Sequence, residues 1–280
     1  MKGRVLICAG SDSGGGAGIQ ADIKAVTALG GFAMTAITAL TAQNTLGVQA
    51  VTGVEPGFIR AQIASVLDDL GADAIKTGML HDSPTIEAVC EEIAARAPGI
   101  PLVADPVMVA KGGHRLLATE AVETLKRRLM PLAALLTPNI PEAEVLAGME
   151  IASEADMHHA AEALLTLGVP AVLLKGGHLP GELVVDLLAT PEGVTRFEDA
   201  RIETRHTHGT GCTLASAIAA GLAQGLALTE AVARARRYVR AALRAAPGYG
   251  AGHGPLNHAV TMDPARLEAP PPRRRKAAAR

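Results

Sequence analysis

The stretch Thr207-His208-Gly209-Thr210-Gly211-Cys212 has the residue types needed to hold an anion. Two glycines free the backbone to turn sharply, and Leu214, Ile218 and Leu222 follow at helical spacing. A glycine turn that opens a helix aims free N–H groups, and the positive end of the helix dipole, at one point. A phosphate or a developing oxyanion suits that point, and a cysteine placed there would have its thiolate favoured. The same residues also describe a glycine-rich loop entering an ordinary helix, with a small Cys as packing. The rest of the chain has to separate the two.

Three other groups carry candidate chemistry. Asn139-Ile140-Pro141-Glu142 sets an amide and a carboxylate three apart where a strand end turns into a helix. Such a pair can orient hydrated Mg²⁺ through water, because Mg²⁺ dehydrates reluctantly, and it equally fits a helix capping box. Lys175, after Val172-Leu173-Leu174, can neutralise nucleotide phosphate or stand as an exposed strand-end lysine. The Gln43 amide offers one donor and one acceptor, which complement the ring nitrogen and exocyclic amine of a 4-aminopyrimidine. Asp22, on the first helix, can accept from a second ring group, although a helix-surface acid is the plainer reading.

Two familiar nucleotide signatures are excluded. Gly16-Ala17-Gly18-Ile19-Gln20-Ala21 matches G-x-G-x-x-A, but no Asp or Glu lies between Asp22 and Glu55 to hold a ribose. The chain has no Gly-Lys-Ser/Thr, so a Walker loop is absent. A bound nucleotide would have its phosphates held elsewhere, as the 209–212 turn allows.

The elements that position these groups alternate. Val5–Ala9 reads as a strand covered on both faces, followed by a glycine loop and a helix with Ile19, Ile23, Val26 and Leu29 on one face. Strands are expected at 32–40, around 48–54, and at 74–78, 102–104, 133–136 and 171–175. An antiparallel pair is expected at 183–189 and 194–197. Helices are expected from Pro56, from Pro84 to Arg96, and at 119–130, 141–147, 153–167, 211–224 and 229–245. Alternation of this kind implies βαβ units and a mostly parallel sheet. Asp12, Gln43, Lys76, Asp105, Asn139 and Lys175 all fall where strands end, the side on which such sheets bind ligands.

Composition narrows the class further. Aromatics make up 2% of the 280 residues, too few for the stacking platforms of a single-stranded nucleic-acid binder. The net charge is −2, with six basic groups and one acid in residues 266–280 and about −7 on the body. We read one domain over residues 1–265 and a disordered, basic tail over 266–280. Cys8, Cys90 and Cys212 are too widely spaced for a disulfide framework or a zinc site, which suits a reducing, cytoplasmic setting. No apolar run approaches a membrane span.

Six segments in order resemble one family: 9–22, 38–45, Asp105-Pro106-Val107-Met108, Thr137 to Glu142, Lys175-Gly176-Gly177-His178, and Thr207 to Thr213. They are similar to the hydroxymethylpyrimidine/phosphomethylpyrimidine kinases of thiamine biosynthesis, within the ribokinase-like superfamily. The likeness covers about residues 4–260. It implies an α/β/α three-layer fold with a mostly parallel sheet and a small β flap, and a homodimer. It also implies ATP- and Mg²⁺-dependent phosphorylation of 4-amino-5-hydroxymethyl-2-methylpyrimidine and then of its monophosphate. By the family's pattern Gly10, Ala17, Asp22, Gln43, Met79 and Val107 line the pyrimidine pocket, and Gly209, Thr210, Gly211 and Cys212 form the anion hole. Asp105 and Glu142 would serve Mg²⁺, with Asn139 on the phosphate side and Lys175 on the nucleotide. Two departures are Ser13-Gly14 in place of Pro-Ser, where glycine would loosen the loop, and Gly113-His114 in the flap after Lys111. The resemblance leaves two other readings, a pyridoxal kinase and a non-catalytic nucleotide-binding regulator. No nucleic-acid or membrane partner is expected.

Overall fold

In the computed structural model, residues 1–110, 113–114 and 116–263 are described. The tail expected over 266–280, and Lys111 of the expected flap, lie outside them.

Alternation along the first strand sets the architecture. In β1 (Arg4–Asp12), Leu6 and Cys8 face one apolar cluster while Val5, Ile7 and Ala9 face another, all within 1% of complete burial. A strand that buries both faces needs cover on both sides, each large aliphatic side chain contributing about 1.5–3 kcal/mol. On the first side lie α2 (Pro56–Asp69), α3 (Ser83–Arg96), α5 (Ile140–Ala147) and α6 (Glu154–Thr166). On the second lie α1 (Gly18–Ala28), α7 (Thr210–Ala223) and α8 (Leu228–Arg244).

Between them runs one nine-stranded sheet in the order β3-β2-β1-β4-β5-β6-β7-β8-β9. The strands β2 (Phe32–Asn44), β4 (Ala74–Thr77), β5 (Leu102–Ala104), β6 (Leu135–Leu136) and β7 (Val172–Lys175) continue parallel with β1. The hairpin strand β3 (Gly47–Gly53) and the pair β8 (Leu183–Thr190) and β9 (Gly193–Ala200) are antiparallel. The chain reverses its direction of travel across the sheet at β1, which opens a crevice at the carboxyl ends of β1 and β4.

The expected elements are present with altered limits. β1 and β2 run to Asp12 and Asn44, three or four residues further than the apolar runs indicate, because polar residues at their ends still pair. The helix expected at 119–130 is instead a four-residue α4 (Ala121–Thr124) passing into a π turn at Leu125–Leu129 and a 3₁₀ turn at Met130–Leu132. Pro131 explains the change: it lacks an N–H and its ring crowds the carbonyl four residues back.

Candidate active site

Asp12, at the end of β1, builds the first wall. Its carboxylate accepts the N–H groups of Gly14 (2.8 Å), Gly16 (3.0 Å) and Ala17 (2.8 Å), which curls the glycine loop around it. The loop is not loosened at Ser13-Gly14. Ser13 Oγ donates to the Gln43 carbonyl and accepts the Gln43 N–H, each at 2.9 Å, so the loop is fastened to β2. His208 Nε2, 2.8 Å from Asp12 Oδ2, draws the start of α7 against the same loop.

That junction explains Gly209. It caps α7 at φ 83°, and a Cβ there would collide with the carbonyl oxygen of Gly16. Because the cap has no side-chain acceptor, the first-turn N–H groups stay available. Among the described residues, the N–H groups of Gly211 and Cys212 have no acceptor. Thr210 is different: its N–H (3.3 Å) and hydroxyl (3.1 Å) both turn back to the Thr207 carbonyl. Of the four residues expected to form the anion hole, Thr210 alone has its N–H engaged; that of Gly209, like those of Gly211 and Cys212, has no acceptor among the described residues.

Cys212 departs from the expectation of a favoured thiolate. Burial pushes its thiol up to about 12, and Asp22 and Asp105 add to the shift. Lys76 and an N–H from Gly18 oppose this without prevailing. Burial there favours the thiol over the thiolate.

The second wall comes from β5, β6 and β7 in register. Asp105 follows β5, and its Oδ1 accepts from Thr137 Oγ1 and Lys175 Nζ, both at 3.1 Å. Asn139 and Glu142 form the capping box of α5, each side chain taking the other's N–H at 3.0 and 2.8 Å. Glu142 also accepts from the Met108 N–H. Burial raises its carboxyl to about 7; Asp105 adds to the rise and Lys175 opposes it. The Asp105 and Glu142 carboxyl groups beside a lysine are a hard-oxygen donor set that fits a hydrated Mg²⁺. The capping role and a water-mediated metal role are compatible, since the cap engages Asn139 through Oδ1 and leaves its NH₂ group to reach a ligand.

A cavity of about 630 Å³ joins the walls. All six strand-end residues, Asp12, Gln43, Lys76, Asp105, Asn139 and Lys175, line it, as do Gly10, Ala17, Met79, Val107, Glu142 and residues 209–212. Asp22 does not. It is fully buried, neither on the ring wall nor on the helix surface, and it holds the Lys76 ammonium at 2.9 Å while accepting from Ser216 Oγ at 2.7 Å. A lysine on a buried strand requires a counter-charge, and α1 supplies it. Lys76, His208 and Arg236, which pairs with Asp186 at 2.8 Å, are among the lining groups with no role assigned from sequence. His208 was legible as the residue entering the glycine turn. Arg236, in the middle of α8, carried no such signal.

Fold and site together define a ribokinase-like α/β kinase. The profile of the phosphomethylpyrimidine kinase family matches residues 12–257, and the chain belongs to that family. It is 48% identical to the hydroxymethylpyrimidine/phosphomethylpyrimidine kinase of Bacillus subtilis, over 91% of this chain and 94% of the relative. It is 52% identical to the thiamine biosynthesis bifunctional protein ThiED of Geobacter sulfurreducens, over 95% of this chain but 54% of that longer protein. Among solved structures, a Bacillus subtilis pyridoxal kinase–ADP complex superposes with a TM-score of 0.87 at 38% identity, over 94% of this chain and 100% of that one. A phosphomethylpyrimidine kinase from Clostridium difficile gives 0.76 at 44% identity, over 85% and 98%.

Proposed function

We propose that the chain transfers phosphate from ATP to the hydroxymethyl group of 4-amino-5-hydroxymethyl-2-methylpyrimidine, then phosphorylates the monophosphate, in thiamine biosynthesis. The observation that carries this reading is one cavity holding both the Gln43 amide and the free N–H groups of Gly211 and Cys212. The ring lies among Gly10, Ala17, Met79 and Val107, with its N3 and 4-amine on Gln43. Asp22 acts from beneath, by fixing Lys76. ATP approaches from the side of Lys175 and Asn139. Asp105 and Glu142 hold hydrated Mg²⁺, whose charge offsets that of the phosphates when it is bound.

Transfer passes through a loose transition state that asks little of a base, so donors aimed at the moving phosphoryl group matter most. The amides at 211 and 212 fill that role. Burial favours the thiol form of Cys212 beside them, so the hydroxyl proton departs to a phosphate oxygen or to water rather than to sulfur.

A homodimer in the cytoplasm completes the reading. Among the described residues the outer edge of β3 has no partner strand, and Leu40, Leu46 and Phe58 are 50%, 70% and 62% exposed. Native mass measurement checks the dimer.

The structural likeness to a pyridoxal kinase favours a second reading, since pyridoxal also presents a ring with a hydroxymethyl arm. One assay separates the two. Purified protein is given Mg-ATP with either compound, and ADP and products are followed by mass spectrometry. The pyrimidine is expected to yield first the monophosphate and then the diphosphate. Good turnover of pyridoxal without any phosphorylated pyrimidine would overturn the proposal.

A further inference from the structure

His208, the residue ahead of the phosphate turn, is tied to the ring-binding wall. Its Nε2 is 2.8 Å from Asp12 Oδ2 and 3.3 Å from the Gln43 side-chain amide. The other end of that amide is 3.1 Å from Thr41 Oγ1, which is itself 3.0 Å from the Ser11 carbonyl. The Gln43 backbone is pinned by Ser13, and the side-chain amide is set by His208 and Thr41.

Counting protons selects the orientation of the amide. Asp12 already accepts three loop N–H groups and acts as an acceptor toward His208, so that contact requires a proton on Nε2. With Nε2 of Gln43 toward His208, donor meets donor, and with Oε1 toward Thr41, the Gln43 and Ser11 oxygens compete for one hydroxyl proton. A half-turn of the amide resolves both conflicts. The Gln43 oxygen then shares the His208 Nε2 proton with Asp12 Oδ2 as the longer arm of a three-centre bond, and its NH₂ group donates to Thr41 Oγ1, whose own proton goes to Ser11.

We propose that His208, held by Asp12, is a positioning residue that fixes the Gln43 amide and so sets which way round the pyrimidine binds. This rests on the substrate reading above. In 4-amino-5-hydroxymethyl-2-methylpyrimidine the amine on C4 adjoins the hydroxymethyl on C5, whereas N3 adjoins C2 and its methyl group. An amide oxygen on the His208 side takes the amine there, and the NH₂ on the Thr41 side takes N3. The hydroxymethyl arm leaves the ring on the His208 side, where the chain runs on into Gly209–Cys212. The opposite amide orientation would turn the ring over and bring the inert 2-methyl group to the phosphoryl donors.

The test uses the pyrimidine labelled with ¹³C in either the 2-methyl or the 5-methylene carbon, bound to deuterated protein. Isotope-filtered NOEs to the amide protons of residues 209–212 report which end of the ring meets the turn. Wild type is expected to show the methylene alone. His208→Phe is expected to show both ends, with kcat reduced about tenfold and the pyrimidine Kd changed less than about threefold. Methyl contacts at the turn in wild type, or methylene contacts alone in folded His208→Phe, would overturn the proposal. If His208→Phe does not fold, His208→Leu is read in the same way, with the same two outcomes. A wild type that fails to bind the pyrimidine at all would remove the substrate reading itself, which is a distinct result.

Discussion

Lys76 Nζ lies 2.9 Å from both carboxylate oxygens of Asp22, and neither residue is exposed at all. Burial works against the ammonium, but Asp22, Cys212 and Asp105 outweigh it and raise its pKa. The pair sets an ammonium from β4 at the floor of the cavity and balances it with a carboxylate from α1, a costly arrangement that a packing role alone would not require.

Removing one partner strands the other. Asp22→Ala should lower stability by about 3–5 kcal/mol, read as a fall in the urea midpoint, whereas Asp22→Leu with Lys76→Met should recover most of that loss. A cost below about 1 kcal/mol for the single change would mean that the pair is not closed to solvent.

Cys212 is expected to behave as a thiol. With its pKa near 12, alkylation by iodoacetamide, followed at this residue by peptide mapping, should rise about tenfold per pH unit from pH 7 to 10 without levelling. The thiolate fraction grows across that whole window because the pKa lies above it. Cys212→Ala should keep kcat within about tenfold of wild type. A plateau in reactivity below pH 8, or a much larger loss, would restore the thiolate as a base.

The sheet and its helices were legible because β1 and its parallel neighbours are short apolar runs separated by helical periods. The ligand end was legible because their last residues are polar. Burial of those polar residues could not be read in the same way. Nothing local to Asp22 distinguishes a surface acid from the counter-ion of a lysine 54 positions away. The Cys212 thiol was misjudged for a related reason: the helix N-terminus is visible in the sequence, whereas the desolvation and the carboxylates around the thiol are not. Asn139 and Glu142 were legible as a pair, and the capping box read from their spacing is present.

His258 links stability to pH. Its Nε2 contacts Thr213 Oγ1 at 2.9 Å, and burial, aided by Lys24, lowers its pKa to about 4. The unfolded chain takes up this proton near pH 6.5 and the fold only near 4. The contribution is therefore complete above pH 6.5 and is lost as pH falls between the two values. Between pH 7 and 5 the loss is about 2 kcal/mol. Urea midpoints at the two pH values should show this in wild type, and His258→Gln should show a correspondingly smaller change. An equal change in both proteins would contradict it.

The central claim is that phosphate is transferred in the space between the N–H groups of residues 211–212 and the Asp105–Lys175 pair. A Cβ on Gly211 would enter that space, 3.3 Å from Lys175 Nζ and 3.7 Å from Asp105 Oδ2, while alanine favours the helix itself. The kcat of Gly211→Ala is the most direct measurement. The account predicts a fall of about tenfold or more with the melting temperature preserved and both KM values within about threefold of wild type. A folded variant whose kcat stays within about twofold would place the transfer elsewhere.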